Sequence, residues 1–160
     1  MKNAVLIPVL FIALAGVSRA APVDKIRLTP DEVAAKEGEG AGAGTSGVTG
    51  IQMTVLLGDP AKPGLYTIRL RIPANTRIEA HTHRDDRSAV VMAGTWYFGY
   101  GNETDESATR SLGPGSFYTE PSGVAHFALT KAEPAVVVIS GFGPSDTVYV
   151  KSANDPRKQH

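Results

Sequence analysis

His81-Thr82-His83, together with His126 forty-three residues further on, is the stretch around which this chain is organised. The sequence has four histidines; three sit in these two places and the fourth is His160. In an extended strand successive side chains point to opposite faces, so His81 and His83 share a face with one residue between them. The preceding run Ile68-Arg69-Leu70-Arg71-Ile72 alternates apolar and charged residues as a half-buried strand does, and Pro73-Ala74-Asn75-Thr76 supplies its turn. The histidine pair is therefore expected on, or just after, a further strand near Ile78. Ahead of His126, a short strand runs from Gly115 to Glu120 into a Pro121-Ser122-Gly123 turn, which would deliver His126 from a neighbouring strand. Three neutral imidazoles converging on one point make a site for a borderline transition metal such as Fe(II), Ni(II), Cu(II), Mn(II) or Zn(II).

Around these residues the chain has the rhythm of an all-β domain. Strands are expected over 51–57, 65–72, 88–92, 95–100, 116–119, 127–129, 135–140 and 147–150, punctuated by Gly and Pro. A rigid turn joins the first two, Ala93-Gly94 turns the pair 88–92 and 95–100, and 102–109 is a polar excursion with room for a helical turn. Such a series of short strands fits a sandwich or jelly roll. Upstream, Thr29-Pro30-Asp31-Glu32 is a capping box with Pro at the first helical position, opening a short helix through Val33, Ala34 and Ala35. The glycine-rich run 38–44 stops it. That run lacks the Gly-Lys-Ser/Thr ending of a P-loop and the strand-to-helix setting of a dinucleotide fingerprint, so it is expected to be a flexible linker or surface loop.

Met1-Lys2-Asn3, an apolar run over 4–17 and the small-x-small ending Ser18-Arg19-Ala20 have the layout of a secretory signal peptide cleaved after Ala20. The run is short for a membrane span, which takes about twenty residues, and an uncleaved anchor is the alternative. Export would place the mature chain in the periplasm or outside the cell. With no Cys in the sequence, disulfides cannot stabilise it there. Loss of residues 1–20 removes Lys2 and Arg19 and leaves fourteen basic against sixteen acidic residues. That balance gives no electrostatic reason to bind nucleic acid or an anionic membrane, so small molecules are the expected partners. The expected organisation is a signal peptide over 1–20, an extension with the helix and glycine-rich loop over 21–47, one β domain over 48–150, and a polar, loosely packed tail over 151–160.

The spacing also carries a family resemblance. The usual first cupin motif is His-x-His, three or four residues, Glu, six residues, Gly; here it reads His81-Thr82-His83, three residues, Arg87, six residues, Gly94. The usual second motif is Gly, five residues, Pro-x-Gly, two residues, His, three residues, Asn; here it reads Gly115, five residues, Pro121-Ser122-Gly123, two residues, His126, three residues, Thr130. The chain resembles a small single-domain cupin over roughly residues 50–150. The resemblance implies the double-stranded β-helix, or jelly-roll barrel, of RmlC-like cupins, here with a short N-terminal helix. It further implies one divalent metal per chain on His81, His83 and His126, Fe(II) first and Zn, Ni or Mn as alternatives, and a homodimer paired through the sheets.

Arg87 stands where most cupins have a carboxylate ligand, and it cannot be deprotonated to bind a cation. What remains resembles the three-histidine cupins, which include mononuclear iron dioxygenases acting on diketones or thiols. If Arg87 faces the site it could bind a substrate carboxylate bidentately; the alternative is a structural ion pair with Asp85, Asp86 or Glu120. Glu120 is a candidate replacement ligand or general base, against the commoner fate of a solvated carboxylate. Asp85-Asp86 is expected to serve the turn. Phe117 and Tyr118 must face opposite ways, and aromatics here are expected mainly in the core. The expected function is an exported, metal-dependent, dioxygenase-like enzyme acting on a small organic molecule. The alternatives are a metal-dependent lyase or isomerase, a non-enzymatic binder, and a structural fold.

Overall fold

A computed structural model describes residues 23–36, 38 and 42–158. The expected signal peptide, residues 37 and 39–41 of the glycine-rich segment, and His160 lie outside the described residues. The elements run α1 (Pro30–Ala34), β1 (Gln52–Leu57), β2 (Gly64–Ile72), β3 (Arg77–Thr82), β4 (Arg87–Ala93), β5 (Trp96–Tyr100), β6 (Arg110–Leu112), β7 (Phe117–Glu120), β8 (His126–Leu129), β9 (Ala135–Gly143) and β10 (Val148–Tyr149). α1 begins as the capping box dictates: Thr29 Oγ1 accepts from Glu32 N, and Thr29 N donates to Glu32 Oε2.

The strands form two five-stranded antiparallel sheets, ordered β1-β2-β9-β4-β7 and β10-β3-β8-β5-β6. Among the described residues no backbone ladder joins one sheet to the other, so the expected jelly roll is built as two facing sheets and not as a closed barrel. At one open edge a side chain spans the gap, where Tyr100 Oη in β5 donates to Thr119 O in β7 at 2.6 Å. Alternation sorts each strand. Ile68, Leu70 and Ile72 of β2 point between the sheets, as do Ala89 and Val91 of β4 and Val137 and Ile139 of β9. They meet Ile78, Trp96, Phe98 and Ala128 from the second sheet. Burying one such aliphatic or aromatic side chain contributes roughly 1.5–3 kcal/mol.

The glycine of the first motif has a steric reason. Gly94 turns at φ 68° between β4 and β5, and a Cβ there would run into Pro134 O. Two expected features differ. The tail is not loosely packed: it forms short 3₁₀ turns at Ser152–Asn154 and Pro156–Lys158, and Asp155 is buried against Arg157, whose Nη2 donates to Thr147 O at 2.9 Å. The end of the glycine-rich segment is no surface loop either. Residues 42–47 lie across the end of the jelly roll that holds the histidines, with Thr45 and Ser46 buried. Three consecutive carbonyls of this strap accept hydrogen bonds from side chains: Gly44 O from Arg87 Nη1, Thr45 O from Thr147 Oγ1 and Ser46 O from Tyr149 Oη.

Candidate metal centre

His81 and His126 face each other across the β3–β8 ladder, and His83 follows the end of β3. Simple alternation from the inward Ile78 would turn His81 outward. A bulge corrects this: between Ile78 and His81 β3 carries one residue more than β8, and the following residues change face. The backbone of the bulge is satisfied elsewhere, Ala80 N donating to Thr104 Oγ1 and Ala80 O accepting from Val150 N. The Pro121-Ser122-Gly123 turn is stitched to the loop after His83. Gly123, at φ 71°, donates its N–H to His83 O; Ser122 Oγ donates to Arg84 O and Ser122 N to Asp86 Oδ1. These bonds set His126 against His83.

All three histidines are buried, and their potential ligand atoms lie within 4.8 Å of one another. Each ring is oriented by its other nitrogen. Nδ1 of His81 donates to Glu79 O at 2.7 Å, that of His83 to Asp146 O at 2.5 Å, and that of His126 to Val124 O at 3.0 Å. A carbonyl only accepts, so Nδ1 carries the proton and Nε2 presents a lone pair. Nε2 of His83 and of His126 are buried without a hydrogen-bond partner. Burial is the main reason that all three imidazoles resist protonation. The neighbouring imidazoles add to it for His81, and the Arg87 charge helps bring His83 down to about 3. They are neutral ligands at physiological pH. The carbonyl of Asp146 is itself fixed, because Arg84 N and Nε bond the Asp146 carboxylate at 2.9 Å each. Phe98 stacks on His126 with ring centroids 5.5 Å apart.

The other sheet supplies charge. Arg87 in β4 and Glu120 in β7 are directly paired across strands and both are buried. Arg87 Nε donates to Glu120 Oε2 at 2.6 Å, and Nη2 reaches the same oxygen. Of the two expectations for Arg87, the structural ion pair is therefore the one formed, with its remaining nitrogen on the strap. Glu120 is not solvated. Burial raises its pKa, but the Arg87 guanidinium outweighs that and holds it at about 2. Its Oε2 lies 3.6 Å from His83 Nε2 and 3.7 Å from His126 Nε2. Two imidazole lone pairs thus face a carboxylate, an arrangement that repels itself unless a cation sits between. The chemistry of this donor set fits a divalent metal on His81, His83 and His126, with Glu120 beside it.

Asp86 serves the turn through Ser122, whereas Asp85 Oδ2 accepts from the buried Tyr66 Oη at 2.6 Å. Burial, with the Asp85 bond contributing, pushes the Tyr66 phenol up to about 12. Sequence reasoning passed over Tyr66 and the strap. Tyr66 looks like core in its alternating run, and nothing in a run of glycines signals which carbonyl will meet Arg87.

No protein-family model matches the chain, and comparison with curated proteins finds no match either. Solved structures do match. The polyketide cyclase RemF from Streptomyces resistomycificus is 17% identical with a TM-score of 0.63, over 83% of this chain and 90% of that one. An RmlC-like cupin from Shewanella frigidimarina is 12% identical with a TM-score of 0.55, over 75% and 92%. A cupin 2 conserved barrel domain protein from Rhodopseudomonas palustris is 11% identical with a TM-score of 0.52, over 66% and 69%. This chain has the cupin fold. At these identities the likeness extends to the fold and no further. Within the cupin fold the three histidines occupy one end of the space between the sheets, and Arg87 and Glu120 face them from the other sheet.

Proposed function

We propose that the protein is a metal-dependent enzyme of the cupin fold, dioxygenase-like, acting on a small organic molecule. The observation that carries this reading is the pair of unpartnered, buried Nε2 atoms of His83 and His126 facing the Glu120 carboxylate. His81, His83 and His126 would hold one divalent metal, Fe(II) first and Zn(II), Ni(II) or Mn(II) otherwise. Bound there, the metal supplies a Lewis acid and, as iron, a one-electron partner for dioxygen. Glu120 is the better candidate for a ligand than for a base, since a carboxylate held at about 2 takes up protons poorly near neutrality. Arg87 is a positioning residue that keeps Glu120 ionised and aimed. Arg87 and Glu120 cancel each other's charge, so a divalent cation would leave the site positive. That favours an anionic ligand such as a carboxylate or a deprotonated enol or thiol.

The test is elemental analysis of protein purified without chelator or nickel affinity, followed by oxygen-uptake assays. Stoichiometric iron with oxygen consumption on diketones, thiols or small organic acids is expected. Stoichiometric zinc, nickel or manganese without oxygen uptake would move the reading to lyase or isomerase chemistry, and no metal even after reconstitution would end it. The proposal includes export, with mature protein beginning at Ala21, to be checked by N-terminal sequencing of the secreted form. It also includes a homodimer through the outer face of the first sheet, where Leu65, Val90, Met92, Phe117 and Phe142 are exposed; light scattering tests that.

A further inference from the structure

Beneath the histidine layer the next inward side chains are aromatic. On β7 the residue sharing the face of Glu120 is Tyr118, and on β5 the inward positions are Trp96 and Phe98. Trp96 and Tyr118 are 4% and 6% exposed, and beyond each other neither Trp96 Nε1 nor Tyr118 Oη has a hydrogen-bond partner. Both line a small internal chamber, about 30 Å³ in volume, that is shared with His81, His126 and Glu120. Its remaining wall is chiefly aliphatic, including Leu70, Ile78, Val137 and Ile139. Two such buried polar groups need an explanation, because buried donors are nearly always satisfied.

The chemistry of the two groups selects what satisfies them. An indole N–H can only donate. A phenol is protonated at neutral pH, so it too has a proton to give. An atom with lone pairs and no hydrogen suits both, which describes a carbonyl oxygen. Size narrows the choice further. A cavity of roughly 150 Å³ is what holds benzene, so a chamber of this volume excludes an aromatic ring.

We infer that this chamber is the specificity pocket for the distal carbonyl of a short aliphatic oxo acid, its oxygen accepting from Trp96 Nε1 and Tyr118 Oη while its anionic head lies at the histidine layer. The inference rests on the metal reading for the head group only; the chamber itself is independent of it. A site built around a hydrogen bond to a ligand oxygen discriminates strongly against an analogue lacking that oxygen.

The chain has a single tryptophan, so its indole N–H gives one resonance that reports on the chamber directly. The experiment uses the full-length, ¹⁵N-labelled protein loaded with Zn(II), with zinc stoichiometry measured on the same sample. It is titrated with 3-oxobutanoate and 4-oxopentanoate, with butanoate and pentanoate as their counterparts, and with 4-oxo-4-phenylbutanoate. At least one oxo acid should move the indole resonance and bind about tenfold or more tighter than its plain counterpart. The phenyl compound should bind at least about tenfold more weakly than 4-oxopentanoate, since the ring does not fit. Tyr118→Phe keeps the ring and should bring oxo and plain acids to within about threefold, at unchanged zinc content. Equal binding of oxo and plain acids, an unmoved indole, or tight binding of the phenyl compound would each overturn the proposal. Metal-free protein titrated with 2-butanone separates the two readings. An indole response without stoichiometric zinc leaves the chamber standing and removes the metal, whereas stoichiometric zinc with a silent indole does the reverse.

Discussion

The two sheets bring opposite things to one site. The β10-β3-β8-β5-β6 sheet contributes three neutral imidazoles whose orientation comes from nearby backbone carbonyls; the β1-β2-β9-β4-β7 sheet contributes a buried guanidinium–carboxylate pair that exists only because β4 and β7 are neighbours. Neutral ligands can be buried alone at modest cost, whereas charges cannot, so the halves should fail differently when cut. The largest effect belongs to the histidines. His83→Ala or His126→Ala should weaken metal binding by more than the ~10–100-fold that changes in outer-shell partners cause, with the metal-free fold kept. Metal content by elemental analysis and a thermal melt after chelation check both parts. Wild-type metal content in both variants would sink the assignment.

The ion pair should answer in the other sense. Glu120→Gln leaves Arg87 buried without its counter-charge, and Arg87→Met does the same to Glu120; each should destabilise the metal-free protein by roughly 3–5 kcal/mol. Metal then separates them. A divalent cation gives the stranded Glu120 of Arg87→Met a new partner, so added Zn(II) should recover much of that loss. It should recover little in Glu120→Gln, where the stranded charge is itself positive. Denaturant unfolding with and without zinc reads the difference, and equal recovery in both variants would mean that Glu120 is not beside the metal.

Acid should act first on the histidine half. All three imidazoles have pKa values lowered in the folded chain, His83 to about 3, while the unfolded chain takes up their protons from about 6.5 downward. The unfolded state therefore binds more protons between those values, and stability falls as pH drops through 6.5. For the metal-free protein each imidazole that stays neutral in the folded chain contributes a loss of about 0.7 kcal/mol between pH 7 and pH 6. Glu120, held at about 2, contributes stability that is complete above about 4.5 and is lost only as pH falls from there towards 2. Urea midpoints at pH 7, 6 and 5 should show the first loss without the second, and Glu120→Gln should leave the first unchanged.

The same contrast explains what could be read from the residues alone. The spacing of His81, His83 and His126 survives into three dimensions because each depends on local geometry, an x residue between two strand positions and a Pro-Ser-Gly turn. Even so, alternation from Ile78 alone would have turned His81 the wrong way, and the bulge that rescues it has no signature in Arg77-Ile78-Glu79-Ala80. The Arg87–Glu120 bond was one option among several, because a cross-strand partner thirty-three residues away is a property of sheet order. β6 escaped notice because Arg110-Ser111-Leu112 is too short and polar to alternate. The strap was illegible for the opposite reason to the histidines: its contacts run through main-chain carbonyls, which every residue has.

That strap ties the two halves together and gives the smallest of the expected effects. Its Gly44 carbonyl is held by Arg87 from one sheet, and the carbonyls of Thr45 and Ser46 by Thr147 and Tyr149 at the other. Among the described residues no backbone–backbone hydrogen bond joins 42–47 to the strands, so these three side chains are its polar anchorage. Tyr149→Phe and Thr147→Val each remove one donor and keep the shape, and each should lower stability by only about 1 kcal/mol. The consequence for the centre is kinetic. With the histidines buried beneath the strap, a chelator must wait for it to lift, so both variants should lose zinc to excess chelator several-fold faster than wild type at nearly unchanged affinity. Should the release rate stay at the wild-type value while stability drops as expected, the strap is packing alone, and access to the histidines lies along the open β6–β7 edge, where Tyr100→Phe would then be the variant that speeds release.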